Sequence, residues 1–253
     1  MKIGIIGAGQ IGGALIRQYS KAGHRVKMTN ASGPEKLESL AVETGASAVS
    51  LMDIVVDVEV VVIAIPLIAI LNLPKELFKN VSAGTTIIDT TNYYPIRDGR
   101  MEDIEQGMPE SIWVSNQIQH PVIKAYNSIL SGSLVCSGLG KGDPLRLALP
   151  VSGDNKQSKD LVCGLINDSG FDSLDYGTLQ DSWRQQPGSP AYCTDLNLKQ
   201  LKKSLAKARR EVLSERRELG LTFILKHDPA LWMHWWNDFA KHFREIYESD
   251  LDG

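Results

Sequence analysis

The sequence has little of what marks several specialised classes of protein. Three cysteines in 253 residues, widely spaced and without a C-x-x-C pair, indicate neither a disulfide framework nor a zinc site. A formal net charge of −3 gives no reason to expect nucleic acid or an anionic membrane surface as a partner. We therefore expect an ordinary globular protein without a bound metal.

Long apolar segments are also missing. The longest apolar run, Val60 to Leu71, contains Pro66 and is too short to cross a bilayer. Met1 leads directly into strand-like residues, which leaves no room for a signal peptide. These absences predict a cytoplasmic protein with no membrane partner.

The strongest motif lies within the first thirty residues. Lys2 to Ile6 are typical of a short buried strand, a glycine-rich turn follows, and Ile11 to Ala22 are typical of a helix. In this G-x-G-x-x-G order the first glycine makes the turn, the second admits a pyrophosphate, and the third lets helix and strand pack closely. The helix amino terminus adds N–H donors for the phosphates. The predicted dinucleotide-binding residues here are Gly7, Gly9, Gln10, Ile11 and Gly12.

The end of the second predicted strand bears on the choice between NAD and NADP. An NAD site places an Asp or Glu there to hold the ribose 2′-hydroxyl, whereas this chain offers the donors Thr29, Asn30 and Ser32. Lys36 or Arg25 is a candidate charge partner for a 2′-phosphate. The alternative is that these residues only cap the next helix, although a cap and a phosphate site are compatible. We favour NADP(H) as the cofactor.

Strands that alternate with helices predict a parallel sheet. Asp57 to Ile65 is a β-branched run typical of a strand buried on both faces, and Thr85 to Asp89 is the next strand. Open α/β sheets bind ligands at the carboxyl ends of their strands. We expect Ala64, Ile65, Pro66 and Asn92 beside the cofactor, and Tyr93, Tyr94, Asn127, Trp183 and Arg184 in the substrate pocket. For the segment that follows Asp89, a plain surface turn is the alternative.

The predicted fold class is α/β: a doubly wound, mainly parallel Rossmann sheet with extra carboxyl-terminal strands, followed by a helical extension. Residues 1–178 are expected to form the NADP-binding domain, and residues 179–253 a loop and a helical region. The two prolines between Thr178 and Cys193 predict an ordered loop or a lid. Leu198 to Val212 have the spacing of an amphipathic helix with a basic outer face.

The last predicted helix, Pro229 to Glu248, is rich in aromatic side chains. Trp232, Trp235 and Trp236 lie within two turns and cannot all face inward without a second surface to cover them. Left in water, they would form a larger apolar patch than monomers usually expose. We expect a homodimer through the carboxyl-terminal helices, while the alternative, a core within one chain, predicts a monomer.

Several segments resemble the NADP oxidoreductases called coenzyme F-420-dependent. They are Gly4 to Gly12, Thr29 to Glu35, Asp89 to Pro95, Val122 to Asn127 and Gly170 to Asp172. The similarity covers Met1 to Asp195 and implies a Rossmann fold with extra strands and hydride transfer between NADP(H) and a deazaflavin. A related module supplies NADPH to a flavin. Family members often carry Asn-Ser-Arg-Gly-Pro after the second strand, and the segment Asn30 to Pro34 lacks that arginine.

The function indicated is therefore an NADP(H)-dependent oxidoreductase that transfers hydride between NADPH and a ring acceptor, a deazaflavin or a flavin. Such a transfer depends mainly on positioning and needs little acid or base from the protein. A reductase of a small carbonyl or imine is one alternative, and it needs a proton donor. Candidate donors are Tyr93, Tyr94, Lys124, Tyr126 and His120, none of them in a diagnostic pattern. A non-catalytic NADP-binding sensor is the other alternative.

Overall fold

Eight strands and ten helices organise the part of the chain that the structure describes. The structure is a computed structural model, and it describes residues 1–227 and 235–251. The strands are β1 (Lys2–Ile6), β2 (Arg25–Thr29), β3 (Ser47–Ala48), β4 (Val60–Ile63), β5 (Thr86–Asp89), β6 (Ile123–Lys124), β7 (Ala148–Val151) and β8 (Asp172–Asp175). The helices are α1 (Gln10–Lys21), α2 (Glu38–Thr44), α3 (Pro95–Asp98), α4 (Glu102–Glu105), α5 (Glu110–Ile118), α6 (Ser131–Cys136), α7 (Lys156–Asp168), α8 (Leu198–Lys207), α9 (Leu213–Ile224) and α10 (Trp236–Leu251).

The first six strands form a parallel sheet in the order β3-β2-β1-β4-β5-β6. All of β4 is buried, as expected for a β-branched strand covered on both faces. One face packs against α1 and α7 through Leu15 and Val162, and the other packs against α5 through Trp113. The strand order reverses between β1 and β4, which is where a doubly wound sheet opens a crevice for a ligand. The predicted α/β class is confirmed.

The extra strands form a second, smaller sheet. β7 and β8 pair in parallel over four residues each, and an antiparallel bridge between Lys124 and Ser152 attaches them to the edge strand β6. α8 packs on this sheet through Leu201 and Leu205, which join a small apolar cluster with Ala148. This arrangement extends the first sheet beyond β6 and carries the chain toward its helical end.

Two helical stretches of the chain are interrupted. The region from Met101 to Gln119 splits into α4 and α5 because Gly107, at a φ of +99°, ends one helix and Pro109 precedes the next. The helix predicted from Leu198 to Val212 ends at Lys207. Arg184 Nη1 donates to the carbonyls of Leu205 and Ala208 at 3.2 and 3.4 Å, which satisfies acceptors that the helix end leaves free.

The loop and helices after β8 fold back on the sheet domain. The segment predicted as an ordered loop or lid begins with a 3-10 turn, Leu179–Gln185, and continues through buried residues to Thr194. It is therefore an internal loop and not a lid. A Cβ on Gly132 of α6 would lie 2.4 Å from the ring of Trp236, so this glycine lets α10 approach α6 closely.

The start of the predicted aromatic helix, including Trp232, lies outside the described residues. Within the described ranges, none of the helices combines the length and the apolar character needed to cross a membrane.

Candidate functional site

The glycine turn between β1 and α1 is shaped by close backbone approaches. Gly7 has a φ of +100°, and a Cβ there would lie 2.3 Å from the Ala64 carbonyl oxygen. A Cβ on Gly12 would lie 1.8 Å from the carbonyl oxygen of Gly7, so no larger residue fits without moving the backbone. By contrast, a Cβ on Gly9 would have no atom within 4 Å. The space above Gly9 is open, as the approach of a pyrophosphate requires.

The amino terminus of α1 faces the same open space. Its N-cap residue is Gly9, which has no side chain to accept hydrogen bonds from the first turn. The N–H groups of the first turn have no intrahelical acceptors, and the helix dipole adds partial positive charge there. Backbone donors, positive potential and an uncovered glycine together fit the diphosphate of a dinucleotide.

The loop after β2 borders the glycine turn. The N–H of Gly7 donates to the Thr29 carbonyl at 2.9 Å, and Asn30 Oδ1 accepts from the Ser32 N–H at 3.1 Å. Ser32 and Lys36 are exposed beside this loop, where the ribose end of a dinucleotide lies in such folds. Arg25 starts β2, so it lies at the opposite edge of the sheet and is excluded as a partner for a 2′-phosphate.

A cavity of about 530 Å³ extends from the glycine turn along the carboxyl ends of β4, β5 and β6. It is lined mainly by apolar side chains. The lining includes these residues that the sequence predicted: Gly9, Gln10, Ile11, Ala64, Ile65, Pro66, Asn92, Tyr94 and Asn127. The geometry thus brings together the middle of the glycine motif and the ends of three separate strands.

The floor of the cavity is held by an amide network. Asn92 Nδ2 donates to the Asn127 carbonyl at 2.9 Å, and Asn127 Nδ2 donates to Asn92 Oδ1 at 3.0 Å. Gln185 Nε2 donates to Asn127 Oδ1 at 2.9 Å, and Gln185 Oε1 accepts from the Ser152 hydroxyl at 2.9 Å. Because each amide is fixed by its neighbours, the internal loop after β8 sets the position of both asparagines. Nothing in the sequence indicates this role of Gln185 except its position in a polar loop.

A buried charge cluster supports the same floor. Lys124 is fully buried, and its Nζ donates to the Thr91 carbonyl at 2.5 Å. Asp89 Oδ2 and Glu110 Oε2 lie 3.4 and 3.5 Å from this nitrogen, and the Ser111 hydroxyl donates to Asp89 at 2.5 Å. Burial raises the pKa of Glu110 to about 7, against the attraction of Lys124. Lys124 therefore holds the backbone beside the cavity and does not enter it as a proton donor.

Two tyrosine hydroxyls are paired at the wall of the cavity. The hydroxyl oxygens of Tyr94 and Tyr192 are 2.6 Å apart, and both residues line the cavity. The guanidinium carbon of Arg97 lies 5.5 Å from the centre of the Tyr94 ring, and Arg97 is itself paired with Asp98 at 2.8 Å. The sequence singled out Tyr94 but missed Tyr192, because nothing local marks a partner 98 residues away.

Three residues expected in the substrate pocket lie elsewhere. Tyr93 is buried beside the cavity wall, where its hydroxyl donates to the Gly99 carbonyl and accepts from the Met101 N–H. Trp183 packs between Arg184 and Arg210, whose guanidinium carbons lie 4.4 and 4.7 Å from its ring centre. These contacts correct the prediction, because the turn that carries Trp183 and Arg184 faces α8 and not the cavity.

The roof of the cavity comes from the helical extension. Its side chains are Leu221, Ile224, Leu225, Trp236 and Phe239, from the end of α9 and the start of α10. Phe239 is buried and packs edge to face on Phe223, with ring centres 5.9 Å apart. The sequence assigned these aromatic residues to a subunit interface or to an internal core. The helical spacing of these residues does not indicate that they line a cavity.

Residues 2–93 match the model of a family described as NADP oxidoreductase coenzyme F420-dependent. A solved structure, the hypothetical protein SMa0349 from Sinorhizobium meliloti, is 30% identical, with a TM-score of 0.66 over 78% of this chain and 95% of that one. The chain belongs to this family of NADP oxidoreductases.

A second solved structure agrees with the fold, and a curated protein matches part of the sequence. A solved structure named "putative f420 dependent nadp-reductase", from Arthrobacter sp. FB24, has a TM-score of 0.59 and 19% identity over 72% of this chain and 87% of that one. Protein YjhV of Escherichia coli K12 is 44% identical over 57 residues, which are 22% of this chain. The match spans 42% of that curated relative.

Proposed function

We propose that this protein is an NADP(H)-dependent oxidoreductase whose acceptor binds in the cavity between the glycine turn and the carboxyl-terminal helices. The observation that carries the proposal is the continuity of this cavity, from Gly9 at the start of α1 to Tyr94 and Phe239. A bound nicotinamide cofactor would supply or accept the hydride. Gly9 and the first turn of α1 would hold its diphosphate, and Asn92 and Asn127 would border its ring.

A planar ring acceptor of the deazaflavin or flavin type is the first class to test. Ile65, Leu130 and Phe239 give the cavity broad apolar walls suited to the faces of a conjugated ring. The family that the chain matches is described as coenzyme F420-dependent, which is the same coenzyme class. The charge cluster of Lys124 lies below the floor, so the chain's contribution on that side is positioning.

A small carbonyl or imine acceptor is the second candidate. The hydroxyl pair of Tyr94 and Tyr192 favours it, because a carbonyl needs a proton donor as the hydride arrives. An acceptor of either class would pack against the same apolar wall, opposite the nicotinamide.

Rapid mixing of protein-bound NADPH with separate acceptors tests the proposal. We expect the reduced-nicotinamide absorbance to fall with coenzyme F-420, riboflavin or an aromatic aldehyde, and the acceptor that reacts identifies the class. The Gly9→Asp variant is the matched control, since it should not hold the cofactor. Bound NADPH that stays reduced with every acceptor would instead support a sensor.

The homodimer stays a prediction. Phe239 and Phe243 pack inside the chain, whereas Trp235 is 38% exposed. Light scattering on the intact chain measures the association directly, and a monomer at high micromolar concentration would exclude the dimer.

A further inference from the structure

The tyrosine pair is an unusual polar feature in this part of the cavity. The two rings pack in an apolar cluster with Leu130, Ile224 and Phe239, and Arg97 and Cys193 also line the cavity beside them. A hydroxyl taken from water into such surroundings costs free energy unless it finds a partner. Tyr94 and Tyr192 find each other at 2.6 Å, so the pair offsets this cost inside the cavity itself.

Counting donors shows that the pair keeps one proton available. A phenol has a single O–H, and the bond between the two oxygens uses only one of the two. Across residues 1–227 and 235–251, the Tyr94 hydroxyl has one protein hydrogen-bond partner, which is Tyr192. When Tyr192 donates, the O–H of Tyr94 can therefore point at a ligand in the cavity.

We propose that Tyr94 Oη donates the proton that completes reduction of the acceptor, and that Tyr192 positions Tyr94. The inference rests on the proposed function, in which NADPH provides the hydride and becomes NADP⁺. The O–H bond of Tyr94 breaks, and a new O–H or N–H bond forms on the acceptor. Water then returns a proton to Tyr94. The acceptor is thus a carbonyl or a ring whose reduced form gains a proton on oxygen or nitrogen.

The surroundings distinguish the two phenols. Burial raises the pKa of Tyr94 well above its usual value, Cys193 and Glu110 add to this rise, and the hydrogen bond with Tyr192 and the charge of Arg97 oppose it. Burial also raises the pKa of Tyr192, and the neighbouring Cys193 and Tyr94 raise it further. Their positions differ as well, because Tyr94 is only partly buried whereas Tyr192 is buried, and Arg97 lies over the Tyr94 ring. This greater access to the cavity makes Tyr94 the donor and Tyr192 its support.

Three phenylalanine variants test the roles. We expect Tyr94→Phe to lower the single-turnover rate of NADPH oxidation by about 10²- to 10⁴-fold. Tyr192→Phe should lower it by about tenfold, the effect of one lost hydrogen bond of ordinary strength. NADPH affinity should be unchanged in both. Tyr93→Phe is the control, because its hydroxyl lies outside the cavity, and its rate per folded molecule should match the parent. A Tyr94→Phe rate equal to that of the parent overturns the proposal.

Binding of 4-nitrophenolate in the presence of NADP⁺ gives a second readout that does not depend on turnover. Its charged oxygen resembles an acceptor oxygen before protonation, and its absorbance reports hydrogen bonds to that oxygen. We expect Tyr94→Phe to weaken binding by about tenfold, the effect of one hydrogen bond to a charged group. Equal binding by parent and variant overturns the donor role. If the parent reduces no acceptor, the proposed function fails, and this titration still decides whether Tyr94 is a donor.

Discussion

The two ends of the cavity are built in different ways. At the nucleotide end, Gly7, Gly9 and Gly12 act through backbone geometry within six consecutive positions. At the other end, which we propose as the acceptor end, Tyr94 meets Tyr192 and α10 packs on both, so residues far apart in the chain share one wall. The first end is a local solution that a short motif can encode, and the second exists only after the whole chain has folded. The variants below probe this contrast, from the largest expected effect to the smallest.

Gly9→Asp should abolish dinucleotide binding and leave the fold intact. A side chain at Gly9 meets no atom within 4 Å, so the protein tolerates it, but a carboxylate there faces the diphosphate. Juxtaposed like charges cost several kcal/mol, or at least about 100-fold in affinity. Calorimetric titration with NADPH measures the loss, and circular dichroism monitors the fold. Gly9→Ala is the control for size alone, and an unchanged affinity of Gly9→Asp would exclude this turn as the diphosphate site.

The nucleotide end is also what the sequence predicted best. Strand, glycine turn and helix follow one another without interruption, so their order alone predicted the tight turn at Gly7 and the close packing at Gly12 that the structure shows. The error there was Arg25. Its distance in sequence from Asn30 is short, but β2 is extended, and about 3.3 Å per residue carries the two ends of a strand to opposite edges.

Phe239→Ala should affect the acceptor end alone. The buried ring lines the cavity and packs on Phe223, so its removal should destabilise the α9–α10 roof by about 3–5 kcal/mol. We expect faster amide hydrogen exchange in α10 and a higher KM for the acceptor, with unchanged NADPH affinity. Leu219→Ala is the control, since Leu219 is 52% exposed on α9. A parallel loss of NADPH affinity would show that the two ends are not independent.

Glu110→Gln tests the charge cluster below the junction of the two ends. Glu110 is buried and has a pKa of about 7, above the usual 4.5. It therefore binds a proton more tightly in the folded protein than in the unfolded chain. The contribution of Glu110 to the free energy of unfolding should therefore be fully present below about pH 4.5. It should fall by on the order of 3 kcal/mol as the pH rises to about 7. Urea unfolding from pH 5 to 8 should show this decline in the parent and a flatter profile in Glu110→Gln. Identical slopes would contradict it.

The acceptor end could not be predicted to the same depth for a physical reason. Trp236 and Phe239 have the spacing of a packed aromatic face, and burial of such a face against a partner, a core or a ligand gives the same pattern in sequence. Tyr192 gains its role only through a contact that spans 98 positions. Trp183 was misplaced because the sequence shows a polar loop but not which of its faces turns toward α8.

The smallest expected change is at the rim of the nucleotide end. Ser32 is exposed, and its N–H donates to Asn30 Oδ1, a bond that a different side chain leaves in place. An arginine there would add a planar pair of donors that matches a 2′-phosphate and has no equivalent partner on a ribose hydroxyl. We expect Ser32→Arg to raise the ratio of NADP to NAD affinity by about tenfold, which corresponds to ~1.4 kcal/mol. Because an exposed ion pair is screened by salt, the gain should shrink at higher ionic strength, whereas Ser32→Gln should show neither the gain nor the salt dependence. Calorimetric titrations with both cofactors at two salt concentrations measure this ratio. A ratio unaltered by the arginine would show that the 2′-phosphate does not bind at the loop after β2.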